Sequence, residues 1–183
     1  MKLVTNKRQL LGLVGAVALG LTMVGPVMAA DNTSATVTGG SLSITNPLAA
    51  NFAGKSINGV DQTTTAALDA FSVSDLTGSG AGWHVTAQAT NFDGGTHYLA
   101  AGSLSMSQPT VGANGTTSPD PSIVGLVPYI LDSGSAVNVA SAALDEGMGT
   151  YDFSATTLTL SLPADVYADA YESTVTISIV SGP

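Results

Sequence analysis

Gly80-Ala81-Gly82-Trp83-His84-Val85-Thr86-Ala87-Gln88-Ala89-Thr90-Asn91-Phe92-Asp93-Gly94-Gly95 is the stretch on which the fold turns. Trp83, Val85, Ala87 and Ala89 take every second position, and His84, Thr86, Gln88 and Thr90 lie between them. A two-residue period places the first set on one face of a strand and the second on the other. The strand runs into Asn91-Phe92-Asp93-Gly94-Gly95, whose turn-forming residues favour a hairpin return.

The same alternation recurs to either side. Leu42 with Ile44, Phe71 with Val73 and then Leu76, Leu104 with Met106, and Val137 with Val139 mark further strands. Tyr151 with Phe153, followed by Leu158, Leu160 and Leu162, makes one broken strand or two consecutive ones. Val175, Ile177 and Ile179 form the last. Residues 107–122 hold three prolines and read as a surface loop. Ile123–Leu131 is apolar without alternation and contains Pro128, which leaves its type open. About eight strands, frequent turns and no helical period predict an all-β fold. Its expected form is a single antiparallel β-sandwich of immunoglobulin-like, Greek-key type. Asp169-Ala170-Tyr171, just before the last strand, fits a tyrosine corner or an ordinary boundary tyrosine, structural in either case.

Composition agrees with this fold. Charged residues are 9% of the chain, against about 25% in an average domain. Long helix formers are therefore scarce, whereas Thr and Val favour strands.

The N-terminus reads differently. Lys2, Lys7 and Arg8 precede an apolar run from Leu10 to Val24, and Gly25-Pro26 then interrupts it ahead of Val27-Met28-Ala29. Basic head, apolar centre and small-residue exit are the parts of a secretory signal peptide. We expect a signal helix in residues 1–29, cleavage after Ala29 or Ala30, and one domain over residues 30–183. The run is shorter than the roughly 20 apolar residues of a membrane span, so no stable membrane insertion is expected after cleavage. With no cysteine, neither a disulfide nor a lipid-modified Cys is available.

Loss of residues 1–29 leaves Lys55 as the one basic residue against 13 acids, a net charge of −12. Such a chain repels phosphate backbones, so nucleic acid is not an expected partner. Mostly scattered acids favour solubility at a surface.

Chemistry is sparse. Trp83 lies on the apolar face, which favours core packing, although an exposed indole would stack on sugars. His84, Thr86 and Gln88 face the other way, toward glycan or toward solvent. His84, His97 and Asp93 are too few and too irregularly spaced for a metal site. Asp145, Glu146 and Asp152, with Gly147 and Gly149, miss the spacing of a calcium loop and read as an acidic turn. Gly-x-Ser-x-Gly does not occur, and Thr77-Gly78-Ser79-Gly80 reads as a turn. No enzyme activity, metal or cofactor is expected.

Residues 80–92 resemble the first signature of the WxL family of Gram-positive surface proteins, with Trp83-His84-Val85 as the motif and Val85 in place of Leu. Thr38–Ile44, Phe71–Asp75, Leu99–Met106, Leu158–Pro163 and Tyr171–Ile179 are similar to that family in the same order. Where a second Trp-x-Leu would fall, Ile177-Ser178-Ile179 stands. The resemblance implies an exported β-domain held non-covalently at the cell wall or extracellular surface, through peptidoglycan or other surface proteins. Trp83, His84, Val85, Thr86 and Gln88 would be its contact residues. A second expectation, from a different class, is a self-assembling fibre subunit that uses its uncharged terminal strand to complete a neighbour's sheet.

Overall fold

A computed structural model describes residues 33–183. The leader expected at residues 1–29 lies outside them. Among the described residues there are twelve strands and no helix. In chain order they are β1 (Leu42–Ile44), β2 (Gln62–Leu68), β3 (Phe71–Asp75), β4 (Trp83–Ala89), β5 (Leu104–Met106) and β6 (Val111–Ala113). They continue as β7 (Ser122–Ile123), β8 (Tyr129–Ile130), β9 (Val137–Ala142), β10 (Gly149–Phe153), β11 (Thr156–Leu162) and β12 (Val175–Ser181).

These build a sandwich-like arrangement of three antiparallel four-stranded sheets, ordered β1-β3-β10-β6, β2-β11-β5-β8 and β12-β4-β9-β7. The all-β expectation holds, with three sheets where two were expected. The extra sheet arises from one bent ribbon. β2 and β3 are separated only by Asp69 and Ala70, and β10 and β11 only by Ser154 and Ala155. Leu68 faces Thr156 on one side of the bend, and Phe71 faces Phe153 on the other. Buried positions run Thr64, Ala66, Leu68 and then Phe71, Val73, Asp75, so both strands skip a residue at the same level. That skip turns the inward face into a second sheet instead of sending it to solvent. The Phe71 and Phe153 rings stack at the corner, 4.6 Å apart and 6° from parallel.

All three sheets share one core. Val73, Tyr151 and Phe153 come from the first sheet, Leu68, Leu104, Tyr129 and Leu158 from the second, and Trp83, Val85 and Val139 from the third. Each is essentially removed from water, and truncating such a side chain to Ala typically costs about 2–5 kcal/mol.

Some segments depart from expectation. Leu76 lies past the end of β3 and is 58% exposed. The open segment Ile123–Leu131 divides into the ends of β7 and β8 around an exposed bend at Leu126–Pro128. Residues 107–122 form a surface stretch that also contributes β6. Tyr151–Leu162 is two consecutive strands. The Tyr171 hydroxyl reaches back to donate to the Tyr167 carbonyl at 3.2 Å.

A buried acid sits within the core layer. Asp132 has no exposed surface, and its carboxylate accepts the N–H groups of Gly102 at 3.0 Å, Ser103 at 3.0 Å and Leu104 at 3.1 Å. It thereby ties the turn before β5 to the end of β8.

Candidate functional site

β4 is an inner strand of the third sheet, and its alternation sorts the five candidate contact residues. Trp83 and Val85 point inward with no exposed surface. The Trp83 ring lies 6.1 Å from that of Tyr151, and its N–H is spent on the Gly147 carbonyl at 2.9 Å. Neither side chain presents a surface to a ligand. His84 and Thr86 are half-buried and Gln88 is exposed, all on the outer face.

The register extends that face across the sheet, because directly paired residues share a side. His84 lies between Val180 and Ser141, Thr86 between Ser178 and Asn138, and Gln88 beside Thr176. Hydroxyls, amides, one imidazole and the exposed Val180 side chain cover it, with no carboxylate among the paired positions. The His84 ring is occupied locally, its Nδ1 2.7 Å from the Gly182 carbonyl oxygen.

At the Gln88 end this face opens into a groove of ≈ 1460 Å³. Phe52, Phe92, Tyr98 and Tyr171 supply rings to it, and Asp93 and Glu172 supply carboxylates. Phe52 meets Phe92 edge-on at 5.9 Å. A smaller hollow of ≈ 660 Å³ shares Phe52, Leu160 and Tyr171 with the groove and adds Lys55, Ile57 and Tyr167. The chain has ten Phe, Tyr and Trp residues. Six (Phe71, Trp83, Phe92, Tyr129, Tyr151, Phe153) are in the core, and the other four line these two hollows, where Phe92 also reaches the groove wall. Aromatic surface is thus concentrated at one place.

Local sequence shapes the walls. Asp93 Oδ1 accepts the Gly95 N–H at 2.6 Å, closing the turn that the Asp-Gly-Gly sequence predicts. Asp93 and Glu172 exchange both main-chain hydrogen bonds, each 2.9 Å, which joins the hairpin to the segment entering β12. The His97 ring stacks on Tyr167 at 3.8 Å and 12°, with Nδ1 3.9 Å from Asp169 Oδ2. Gly94 packs so closely on Asp169 that a Cβ would lie 2.7 Å from its carboxylate carbon. Burial, then the neighbouring Asp169 and Tyr167, push the Tyr171 phenol above its ordinary value, so its hydroxyl stays a donor.

Rings, amides, hydroxyls and two carboxylates suit a sugar chain, whose C–H faces stack on aromatics and whose hydroxyls take directed hydrogen bonds. The remaining polar candidates are dispersed. No three His, Cys, Asp or Glu residues come together among the described residues, so His84, His97 and Asp93 form no cluster. Asp152 accepts from Ser72 and Asn114, and Glu146 from the Ala143 N–H.

Sequence periodicity reached the outer face of β4 but missed the rings. Phe52, Tyr98, Tyr167 and Tyr171 lie outside the named strands.

No curated protein and no solved structure matches this chain significantly. The family model described as "WxL domain surface cell wall-binding" matches residues 22–183, a span that includes every described strand. The chain therefore belongs to the WxL domain family of cell wall-binding surface proteins.

Proposed function

We propose that this protein is an exported, non-catalytic domain that holds to the cell wall by taking peptidoglycan glycan into the aromatic groove, with residues 1–29 as its cleaved leader. The concentration of every non-core aromatic around the two adjoining hollows carries this reading. Gln88 and Thr176 extend the groove onto the uncharged outer face of the third sheet. The candidate contacts His84, Thr86 and Gln88 belong to that face, while Trp83 and Val85 support it from beneath.

Incubation with purified cell walls tests the proposal. Retention well above an unrelated acidic protein is expected, together with a loss in the Tyr98→Ala and Tyr171→Ala variants. Retention no better than the control refutes wall binding. Retention unaffected by either substitution refutes the groove.

A further inference from the structure

Basic charge is confined to one point on the domain. Lys55 is the one Lys or Arg after Arg8, while of the 13 acids only Asp31 precedes it. An anion is therefore repelled by the domain as a whole and attracted only near this ammonium. Lys55 is exposed, and among the described residues it makes no ion pair. It lines the smaller hollow, of ≈ 660 Å³, together with Phe52, Ile57, Val166 and Tyr167.

β2 fixes the segment that carries it. Thr64 Oγ1 donates to the Ala53 carbonyl at 3.0 Å, and Gln62 Nε2 to the Ser56 carbonyl at 2.9 Å, so two side chains of one strand bracket Lys55. Gln62 Nε2 also reaches Asn58 Oδ1 at 3.0 Å. The segment before β12 is anchored too. Asp61 Oδ1 accepts the Ala164 N–H at 2.8 Å, and the Tyr167 ring is held by the stacked His97 ring. β11, paired with β2, contributes Leu160 and Leu162. A hollow with tethered walls keeps its shape without a ligand, which lowers the cost of binding one.

Its charge is not cancelled from within. Asp169 is the one carboxylate among the lining residues, and it is turned to other groups. Its Oδ1 accepts the Ala170 N–H at 2.8 Å, and its Oδ2 lies 3.9 Å from His97 Nδ1. The rest of the lining is largely short or apolar, with Ala53, Gly54, Ala168 and Ala170 beside the leucines. An ammonium on an apolar hollow fits a carboxylate on a small apolar body. A phosphate polymer fits worse, because its next charges would meet Asp169 here, or Asp93 and Glu172 in the groove.

The hollow and the groove share Phe52, Leu160, Ala170 and Tyr171, so a ligand filling both has to branch or turn at that wall. Peptidoglycan has this form, a sugar strand from which short peptides of small residues project and end in a carboxylate. We infer that the hollow at Lys55 takes the free carboxylate end of such a peptide branch. The inference rests on the groove reading for the identity of the polymer, yet Lys55 and Ile57 line the hollow alone. Lys55 thereby sets specificity: branches with a free end are accepted, and branches whose carboxylate is amidated or consumed in a cross-link are not.

Titration of the purified protein with diacetyl-Lys-D-Ala-D-Ala, followed by amide NMR, tests this. The free acid should shift the amides of Lys55, Ile57 and Tyr167. Its C-terminal amide should bind about fivefold more weakly, the loss of one exposed ion pair. Lys55→Gln should reproduce that loss and erase the difference between the two peptides, and Lys55→Arg should restore it. Lys55 is exposed, so both variants should unfold in urea as the wild type does. Chitotetraose, a sugar chain without peptide, reports on the groove separately through the amides of Asp93 and Glu172. If it leaves those unmoved the groove reading fails, while the peptide titration still decides the hollow. Equal binding of acid and amide overturns the inference, as does unaltered affinity in Lys55→Gln. So does glycerol phosphate binding as tightly as the peptide, or a free acid that does not bind.

Discussion

The indole N–H of Trp83 donates to the carbonyl of Gly147 at 2.9 Å, and Gly147 sits close against the same edge of the ring. A Cβ at Gly147 would fall 2.7 Å from Nε1 and 2.4 Å from the Ala142 methyl, and the residue has φ +70°. Glycine is required twice over, by sterics and by the left-handed backbone. The bond also joins the start of β4 to the turn before β10, so the motif residue organises two sheets from inside.

Gly147→Ala is accordingly expected to destabilise the domain by about 2–4 kcal/mol, through strain and overpacking together. Urea unfolding followed by Trp83 fluorescence measures this. A change within about 0.5 kcal/mol, the range of an ordinary surface substitution, would remove the packing account.

Asp132 offers an independent check on the core. Its carboxylate is the acceptor for three backbone N–H groups at Gly102, Ser103 and Leu104. Asp132→Ala leaves those donors unsatisfied, at an expected cost of about 3 kcal/mol or more. Asp132→Asn keeps one acceptor oxygen but turns an NH2 group toward a donor, so it should fall between the two. Denaturant midpoints at constant slope would establish the order.

Tyr129 makes stability sensitive to alkali. Its hydroxyl donates to the Val124 carbonyl at 2.7 Å, and burial raises its pKa above the ordinary 10.0. The neutral phenol is favoured in the folded state, so its contribution is complete below the unfolded value. It is lost as pH climbs from about 10 through the higher folded value. Stability should decline across that window, and Tyr129→Phe should flatten the decline. An identical slope in the variant would assign the alkaline loss to other groups.

Tyr98 should separate binding from folding. It is 64% exposed at the groove, so Tyr98→Ala should alter stability by less than about 0.5 kcal/mol. Loss of one stacking contact, worth about 1 kcal/mol, corresponds to roughly fivefold weaker wall retention. Isotherms on purified walls, with unfolding curves on the same samples, measure both quantities. A large stability loss would make Tyr98 a structural residue.

Much of the fold was legible because a half-buried strand must alternate. Phe71 and Val73, Trp83 to Ala89, Leu158 with Leu160, and Ile177 all face the core as their spacing requires. The short strands β6, β7 and β8 were not legible, since two or three residues hold no period. The third sheet was hidden because the skips at Asp69-Ala70 and Ser154-Ala155 look like two separate interruptions until β3 and β10 are seen to pair.

The candidate site divides in the same way. His84, Thr86 and Gln88 could be read as one outward face, whereas their neighbours Ser141, Asn138, Ser178 and Thr176 lie 50 to 90 or so positions away in the chain. By itself the sequence determined an all-β, acidic, cysteine-free chain, and it placed Trp83 on an apolar face, because these follow from residue type and local spacing. Tertiary structure alone decided that Phe52, Phe92, Tyr98, Tyr167 and Tyr171 meet around one pair of hollows. That depends on which distant strands and loops become neighbours, and it is set by packing over the whole core.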